Sequence, residues 1–362
     1  MKKLFLLIFS LITISCNSNV NIATSSNINE KINISSTFLE ENLTEKQKQI
    51  VKDYAPIIYQ ATRKKYRPAK WDFITSFDFD NDLRANNNEE NLTKGNFLLP
   101  ATVYYALTET ETHYFIIYSF YHPLDWSIYP SFIPFSWHEN DMENIQIVVQ
   151  KENEKVVILS AQAHLSTEVS VDYFSKIFSG NHKIEHDEIR FLGKNPCVYV
   201  ESGGHGIYNI LSKSKEFKTL NPPTLKEGLV FYPNDFDIAD KYQEGKTEYK
   251  YVLKPIHDIL WKSYLLNENI GNGKLMDGAF NYKDELVNYK NIPRFFDSDR
   301  LSGINKHDAG ILPFAFSFSL TSNDLGVLFF NPAKKYFDDL DIRENWSKKY
   351  LYNPYIIKFD IM

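Results

Sequence analysis

Apolar and polar positions alternate, or gather into short apolar blocks, along most of the chain beyond residue 55, and sustained 3.6-residue periodicity is rare. Blocks rich in Val, Ile, Tyr and Phe predict strands over 55–60, 101–108, 113–121, 145–150, 156–164, 197–201, 228–232 and 249–255. Polar or Gly- and Pro-containing stretches such as 80–95 and 179–187 separate them. Helical spacing is confined to 171–178, 256–266, 338–349 and one window near the start. There Thr44-Glu45-Lys46-Gln47 has the form of a capping box, opening a helix through about Tyr54, with Pro56 just past its end. Many strands with few helices predict a mainly β fold, a β-sandwich with a few peripheral helices and sites carried on strand-end loops. No internal repeat and no shift in composition divides 44–362, which reads as a single β-sandwich domain. The stretch 270–299, with its Gly and Asp, is not assigned as loop or strand.

The first residues have a different pattern. Lys2 and Lys3 precede an apolar run from Leu4 to Ile14, too short to span a bilayer, and Ser15-Cys16 follows. A small residue and a cysteine at this place resemble the lipobox of bacterial lipoproteins, so residues 1–16 are expected to be a lipoprotein signal peptide. Residues 17–43, rich in Asn, Ser and Thr, then form a flexible tether. The expected setting is the cell envelope: an exported, bacterial membrane-anchored lipoprotein, held by lipidated Cys16. Cys197, the second of two cysteines, is expected to be a buried small hydrophobe without a disulfide.

Composition narrows the function. Aromatics make up 15% of the 362 residues, which favours strands. Net charge is −6 and no basic run is long enough to track a phosphate backbone, so no nucleic-acid partner is expected.

The chemistry gathers at predicted strand ends. His138-Glu139-Asn140-Asp141-Met142-Glu143 holds one imidazole and three carboxylates immediately before the apolar run at 145–149. A strand starting near Met142 would send Asp141 and Glu143 to one face, with His138 reaching in from the preceding turn. Such a set can hold a divalent cation, Mg²⁺, Ca²⁺, Mn²⁺ or Zn²⁺, though the same acids also suit a solvated turn. His122-Pro123-Leu124-Asp125-Trp126, His164 and Glu201-Ser202-Gly203-Gly204-His205-Gly206 lie at other strand ends. His122 and His164 could orient ligands or be core histidines. Trp126 and Trp137 could line a cavity rim or pack ordinarily. Glu139-x-Asp141-x-Glu143 also has the form of the catalytic strand of laminarinase-type glycosidases, in which two Glu act as nucleophile and acid/base. No G-x-S-x-G elbow or phosphate loop is present.

Together these segments resemble a family. His138-x-x-Asp141-x-Glu143 is similar to the heptapeptide of necrosis- and ethylene-inducing-like proteins and to the H-x-x-D-W-E signature of the related vacuolar-sorting-associated family. In its wider context the chain resembles uncharacterised bacterial and fungal proteins carrying Y-A-P, H-P-x-D-W, H-E-N-D-M-E, A-H, E-x-x-G-H-G and a late N/D-P-A. Here these are Tyr54-Ala55-Pro56, the His122 and His138 segments, Ala163-His164, Glu201 to Gly206, and Asn331-Pro332-Ala333. The resemblance implies a β-sandwich with one surface cation site, its ligands Asp125, His138, Asp141, Glu143 and His205. It also implies a lipid or sugar headgroup as ligand, since the necrosis-inducing proteins bind sphingolipid sugars and damage membranes.

The expected function is therefore an exported, lipid-anchored protein whose divalent cation helps bind a polar or anionic headgroup. A metal-dependent hydrolase of a phosphoester or glycan is the alternative, with His122, His164 or Glu201 as general base. A laminarinase-like glycosidase using Glu139 and Glu143 is another. A third is a surface protein in which the metal only staples the fold.

Overall fold

The computed structural model describes residues 43–81, 87–126, 137–163, 166–171, 189–213, 225–234, 237–258, 275–282, 285–293, 316, 326–340 and 345–358. The expected signal peptide and tether, His164, and most of the helices predicted at 171–178 and 256–266 lie outside these residues.

In chain order the elements are α1 (Glu45–Asp53), β1 (Ile57–Ala61), a 3₁₀ turn (Ala69–Asp72), α2 (Asn88–Lys94), β2 (Thr102–Thr110), β3 (His113–Trp126), β4 (Trp137–Gln150), β5 (Lys155–Ala163) and β6 (Ser166–Val171). Then come β7 (Phe191–Leu192), β8 (Asn195–Val200), β9 (Ile207–Asn209), α3 (Ile210–Lys213), β10 (Gly228–Pro233), β11 (Glu248–Pro255), β12 (Leu275–Tyr282) and β13 (Glu285–Pro293). Last are α4 (Val327–Phe330), α5 (Pro332–Asp339), β14 (Tyr350–Tyr352) and β15 (Ile356–Lys358).

The chain is mainly β. Among the described residues twelve strands form one mixed sheet in the order β6-β5-β4-β3-β2-β11-β10-β1-β8-β7, with β14 beside β2 and β9 beside β8. Strands β12, β13 and β15 form a second, three-stranded sheet. The large sheet is nearly closed. From the β8 side, β9 reaches β5 and β6 at the other end of the strand order, and Asn209 Nδ2 donates to Ser170 Oγ at 2.8 Å.

Every residue of β3 is buried, because the sheet is covered on both faces. On one face Tyr118 donates its hydroxyl to Val51 O of α1 at 2.6 Å. On the other, Gln146 Nε2 donates to Leu328 O of α4 at 2.8 Å, and the Ser160 and Tyr336 hydroxyls pair at 2.7 Å. The polar positions alternating in 145–150 are therefore not all solvent-facing. Gln146 is inside, its amide bonded rather than hydrated.

The capping box forms as predicted. Gln47 N–H donates to Thr44 Oγ1 at 3.3 Å, Thr44 N–H donates to Gln47 Oε1 at 2.9 Å, and Tyr54 is the C-cap. Thr44→Ala is expected to cost about 1 kcal/mol. A urea midpoint that falls at unchanged slope checks this; an unmoved midpoint would show that packing alone holds α1.

The predicted strands are recovered, two of them much longer than expected. β3 continues to Trp126 and β4 begins at Trp137, so His138 lies within a strand rather than in the turn before it. Each strand supplies the other's partner through His122↔Asp141, Leu124↔Glu139, Asp125↔His138 and Trp126↔Trp137. Pro123, which has no N–H to donate, sits at the break in this ladder, where Asn140 takes φ +61°.

The helix predictions fare less well. Val171 ends β6 instead of opening a helix, and 256–258 form a turn. The helix placed at 338–349 is instead α5, because Pro332 fits a first helical turn and fixes the start. Trp346 Nε1 then donates to Ala333 O at 2.8 Å, folding the following chain back on α5. α2 lies in a stretch read as a separator, and the β12–β13 pair lies in the unassigned 270–299. No helix among the described residues is long and apolar enough to cross a membrane.

Candidate metal centre at one pole of the sheet

β1 and β8 are parallel, so the segments that follow them leave at the same pole. The C-terminal end of β3 joins them there, because Trp126 N–H donates to Gly203 O at 2.9 Å. Antiparallel pairing brings the start of β4 alongside. The turn after β8 is closed by Glu201 N–H donating to Gly206 O at 3.1 Å. It reverses through left-handed backbone at Gly203 (φ +93°) and His205 (φ +50°).

His205 is fully buried between two carboxylates. Its Nδ1 lies 2.6 Å from Asp141 Oδ2, and its Nε2 lies 3.2 Å from Asp72 Oδ1. A carboxylate only accepts, so both ring nitrogens donate and the ring is an imidazolium. Burial alone would lower its pKa. The hydrogen bonds and charges of Asp141 and Asp72 outweigh burial and raise it to about 10. Asp72, at the end of the 3₁₀ turn, is the hub. It also accepts from Trp126 Nε1 at 3.1 Å, Ser202 Oγ at 3.1 Å and Gly203 N at 2.9 Å.

His122 stacks on His205, with ring centroids 3.6 Å apart and planes 2° from parallel. Its tautomer follows from Gln60. The Gln60 amide nitrogen donates to the carbonyls of Ala61 and Glu201, both at 3.1 Å, so the amide oxygen must face the histidine. His122 Nε2–H therefore donates to Gln60 Oε1 at 3.1 Å, and Nδ1 carries a bare lone pair. That lone pair is buried and has no hydrogen-bond partner among the described residues. Burial, reinforced by the charge of His205, holds the His122 pKa well below the usual histidine range, so Nδ1 does not take a proton.

His122, Asp141 and His205 thus form a buried His–Asp–His cluster whose ligand atoms all lie within 4.8 Å of one another, a set that can hold a metal ion. An orphaned imidazole lone pair beside a carboxylate is the donor chemistry such an ion uses.

Of the residues expected from sequence, Asp141 and His205 are in direct contact. Glu143 pairs with Phe120, the next pair inward on the same row from His122–Asp141, and is buried. Asp125 is buried and pairs with the backbone of His138 on the far side of the Pro123–Asn140 break. Glu139 Oε1 accepts from Glu89 N–H at 2.8 Å, while Asn140 Oδ1 accepts from Asn88 Nδ2 at 2.7 Å. A regular strand would send these neighbours to opposite faces, yet both serve the first turn of α2. Trp126 joins the site through Asp72 rather than lining a rim. Glu201 contributes its backbone oxygen to Gln60. Sequence reading missed Asp72, which sits in a non-periodic stretch beside Trp71. It left His122 ambiguous because only the strand register brings it level with Asp141.

No protein-family model matches the chain, and no curated protein does. Its structural neighbours are necrosis- and ethylene-inducing-like proteins at low identity. One solved structure, described as a toxin fold for microbial attack and plant defense, is 17% identical with a TM-score of 0.31, over 49% of this chain and 73% of that one. NLPPya in complex with mannosamine is 19% identical with a TM-score of 0.27, over 47% of this chain and 69% of that one. The non-toxic HaNLP3 protein is 15% identical with a TM-score of 0.28, over 62% and 82%.

Proposed function

We propose that this protein binds a divalent cation at the His122–Asp141–His205 cluster, and that the loaded pole receives the polar or anionic headgroup of a lipid or sugar in the cell envelope. The observation that carries the metal is His122 Nδ1, a buried lone pair without a proton or a partner among the described residues, on a histidine that clusters with Asp141 and His205. Two imidazoles with a carboxylate suit Mn²⁺ or Zn²⁺ better than Mg²⁺ or Ca²⁺. Asp125, His138 and Glu143, on neighbouring positions of the same strand pair, are the further ligands proposed from sequence. Asp72 has the place of a carboxylate that orients a metal-bound histidine through its second ring nitrogen. The β-sandwich, the export signal and the lipidated Cys16 are part of the same proposal.

Burial supports a second reading. His122, Asp141, His205 and Asp72 are all inside, so an ion there would cross-link β3, β4 and the turn after β8. On that reading the cation staples the pole and binds no headgroup.

Elemental analysis of purified, dialysed protein is expected to find stoichiometric metal. Cation at about a hundredfold over its Kd would stabilise by about 2.7 kcal/mol, a Tm rise of roughly 4 °C. That rise should vanish in His122→Ala and Asp141→Asn, each referred to its own metal-free Tm. No bound metal and no cation-dependent rise would sink the site. Headgroup binding by loaded but not chelated protein supports the first reading; cation stabilisation with no headgroup binding leaves the staple.

A further inference from the structure

We propose that the turn following β1, residues 63–68, is a docking surface for a bilayer bearing anionic lipid headgroups. Arg63, Lys64, Lys65, Tyr66, Arg67 and Pro68 are all exposed, Tyr66 at 53%. Four of these six side chains are cations, in a chain whose net charge is −6. Among the described residues none of the four is in an ion pair. The partners shown are rings: Lys65 Nζ lies 5.6 Å from the Tyr66 centroid, and the Arg67 guanidinium 4.7 Å from that of Trp71. Lys226, also exposed, precedes the segment of β10 that pairs with the end of β1.

The turn is ordered through its backbone, which leaves the charged heads to solvent. Tyr66 N–H and Arg67 N–H both donate to Arg63 O, at 2.8 and 3.2 Å. Thr62 N–H donates to Glu227 O at 3.4 Å, and Lys64 N–H to Glu227 Oε1 at 2.8 Å. The Glu227 carboxylate therefore holds the turn's main chain. A preformed surface of this kind loses little conformational freedom on docking.

Charge complementarity selects the partner. A single exposed turn from which no basic stripe continues among the described residues matches a planar array of anionic headgroups better than the long phosphate track of a nucleic acid. An exposed tyrosine among the cations suits the boundary between headgroups and acyl chains. The same turn runs into the 3₁₀ helix that ends at Asp72, so docking would set the cation site's pole against the bilayer. The surface does not require the cation.

Vesicles of phosphatidylcholine with and without phosphatidylserine test this, using the full chain as its Cys16→Ser variant, which carries no acyl anchor, with and without chelator. Binding is expected only to the serine-containing vesicles, to weaken with added salt, and to persist under chelator. Each cation contributes about a fivefold change in partitioning, so Lys64→Ala with Lys65→Ala should weaken binding about twenty-five-fold at unchanged Tm. Lys46→Ala with Lys52→Ala, on α1 at the opposite end of β1, should leave it unchanged. No binding to anionic vesicles, equal loss in both double variants, or preference for duplex DNA or a phosphopeptide would overturn the proposal. Loss under chelator alone would assign vesicle binding to the cation site instead and overturn it too. Intact vesicle binding by a protein that holds no metal would refute only the cation reading.

Discussion

Asp72→Ala is expected to lower the unfolding free energy by about 3–5 kcal/mol, the range for breaking a buried ion pair by removing one partner. The substitution leaves the His205 imidazolium with one carboxylate instead of two. It also strands the donors of Trp126, Ser202 and Gly203 in a fully buried place. At the size of this protein the melting temperature should fall by about 4–7 °C. Asp72→Asn retains an acceptor but not the charge, so its loss should lie between wild type and alanine. Denaturant unfolding of the three metal-free proteins measures this. A loss under about 1 kcal/mol for the alanine variant would mean that the hub is not what joins the 3₁₀ turn to the β8–β9 turn.

The second large effect is on pH dependence. The ordinary histidine pKa is near 6.5, while His205 in the folded protein titrates at about 10. Below about pH 6.5 both states carry the proton and the His205 contribution is complete. Between about 6.5 and 10 only the folded state holds it, so stability falls as pH rises, at up to about 1.4 kcal/mol per unit. His122 acts in the opposite sense. It is held neutral in the folded state, so its contribution is present above about pH 6.5 and is lost as pH falls below that. For these two groups the metal-free protein is most stable between the two flanks. Urea midpoints measured from about pH 6.5 to 8, below the range where the buried Cys197 thiol adds its own decline, should fall for wild type and stay level for His205→Gln; equal slopes would refute the assignment. A bound cation takes the place of the His205 proton, so its stabilisation should grow towards alkaline pH.

Parts of the fold were legible along the chain for local reasons. The capping box needs only Thr44 and Gln47, three residues apart, and it forms. Cys197 is buried and unpaired, its thiol pushed up to about 12 by burial, as a lone cysteine in an apolar run should be. The predicted strand at 145–150 was too short because Trp137 to Asn144 is polar, and only the pairing with β3 makes it strand. The helix at 338–349 was misplaced because the later residues are held against α5 by Trp346, a contact that periodicity does not report. At the site, Asp141 and His205 stood out because acids and glycines flank them. Asp72 did not, because its function lies wholly in four donors from other segments.

The sequence by itself determined that this protein is mainly β, because strand-forming residues and apolar blocks act over a few neighbours. It also determined which short segments carry imidazoles and carboxylates. Tertiary structure alone decided which of them meet. The His122↔Asp141 register, the parallel pairing of β1 with β8, and the left-handed turn at His205 bring side chains as far apart as 72 and 205 within hydrogen-bond distance. The reason is physical: buried charges must find partners, and those partners are set by strand pairing and chain reversal rather than by spacing along the chain.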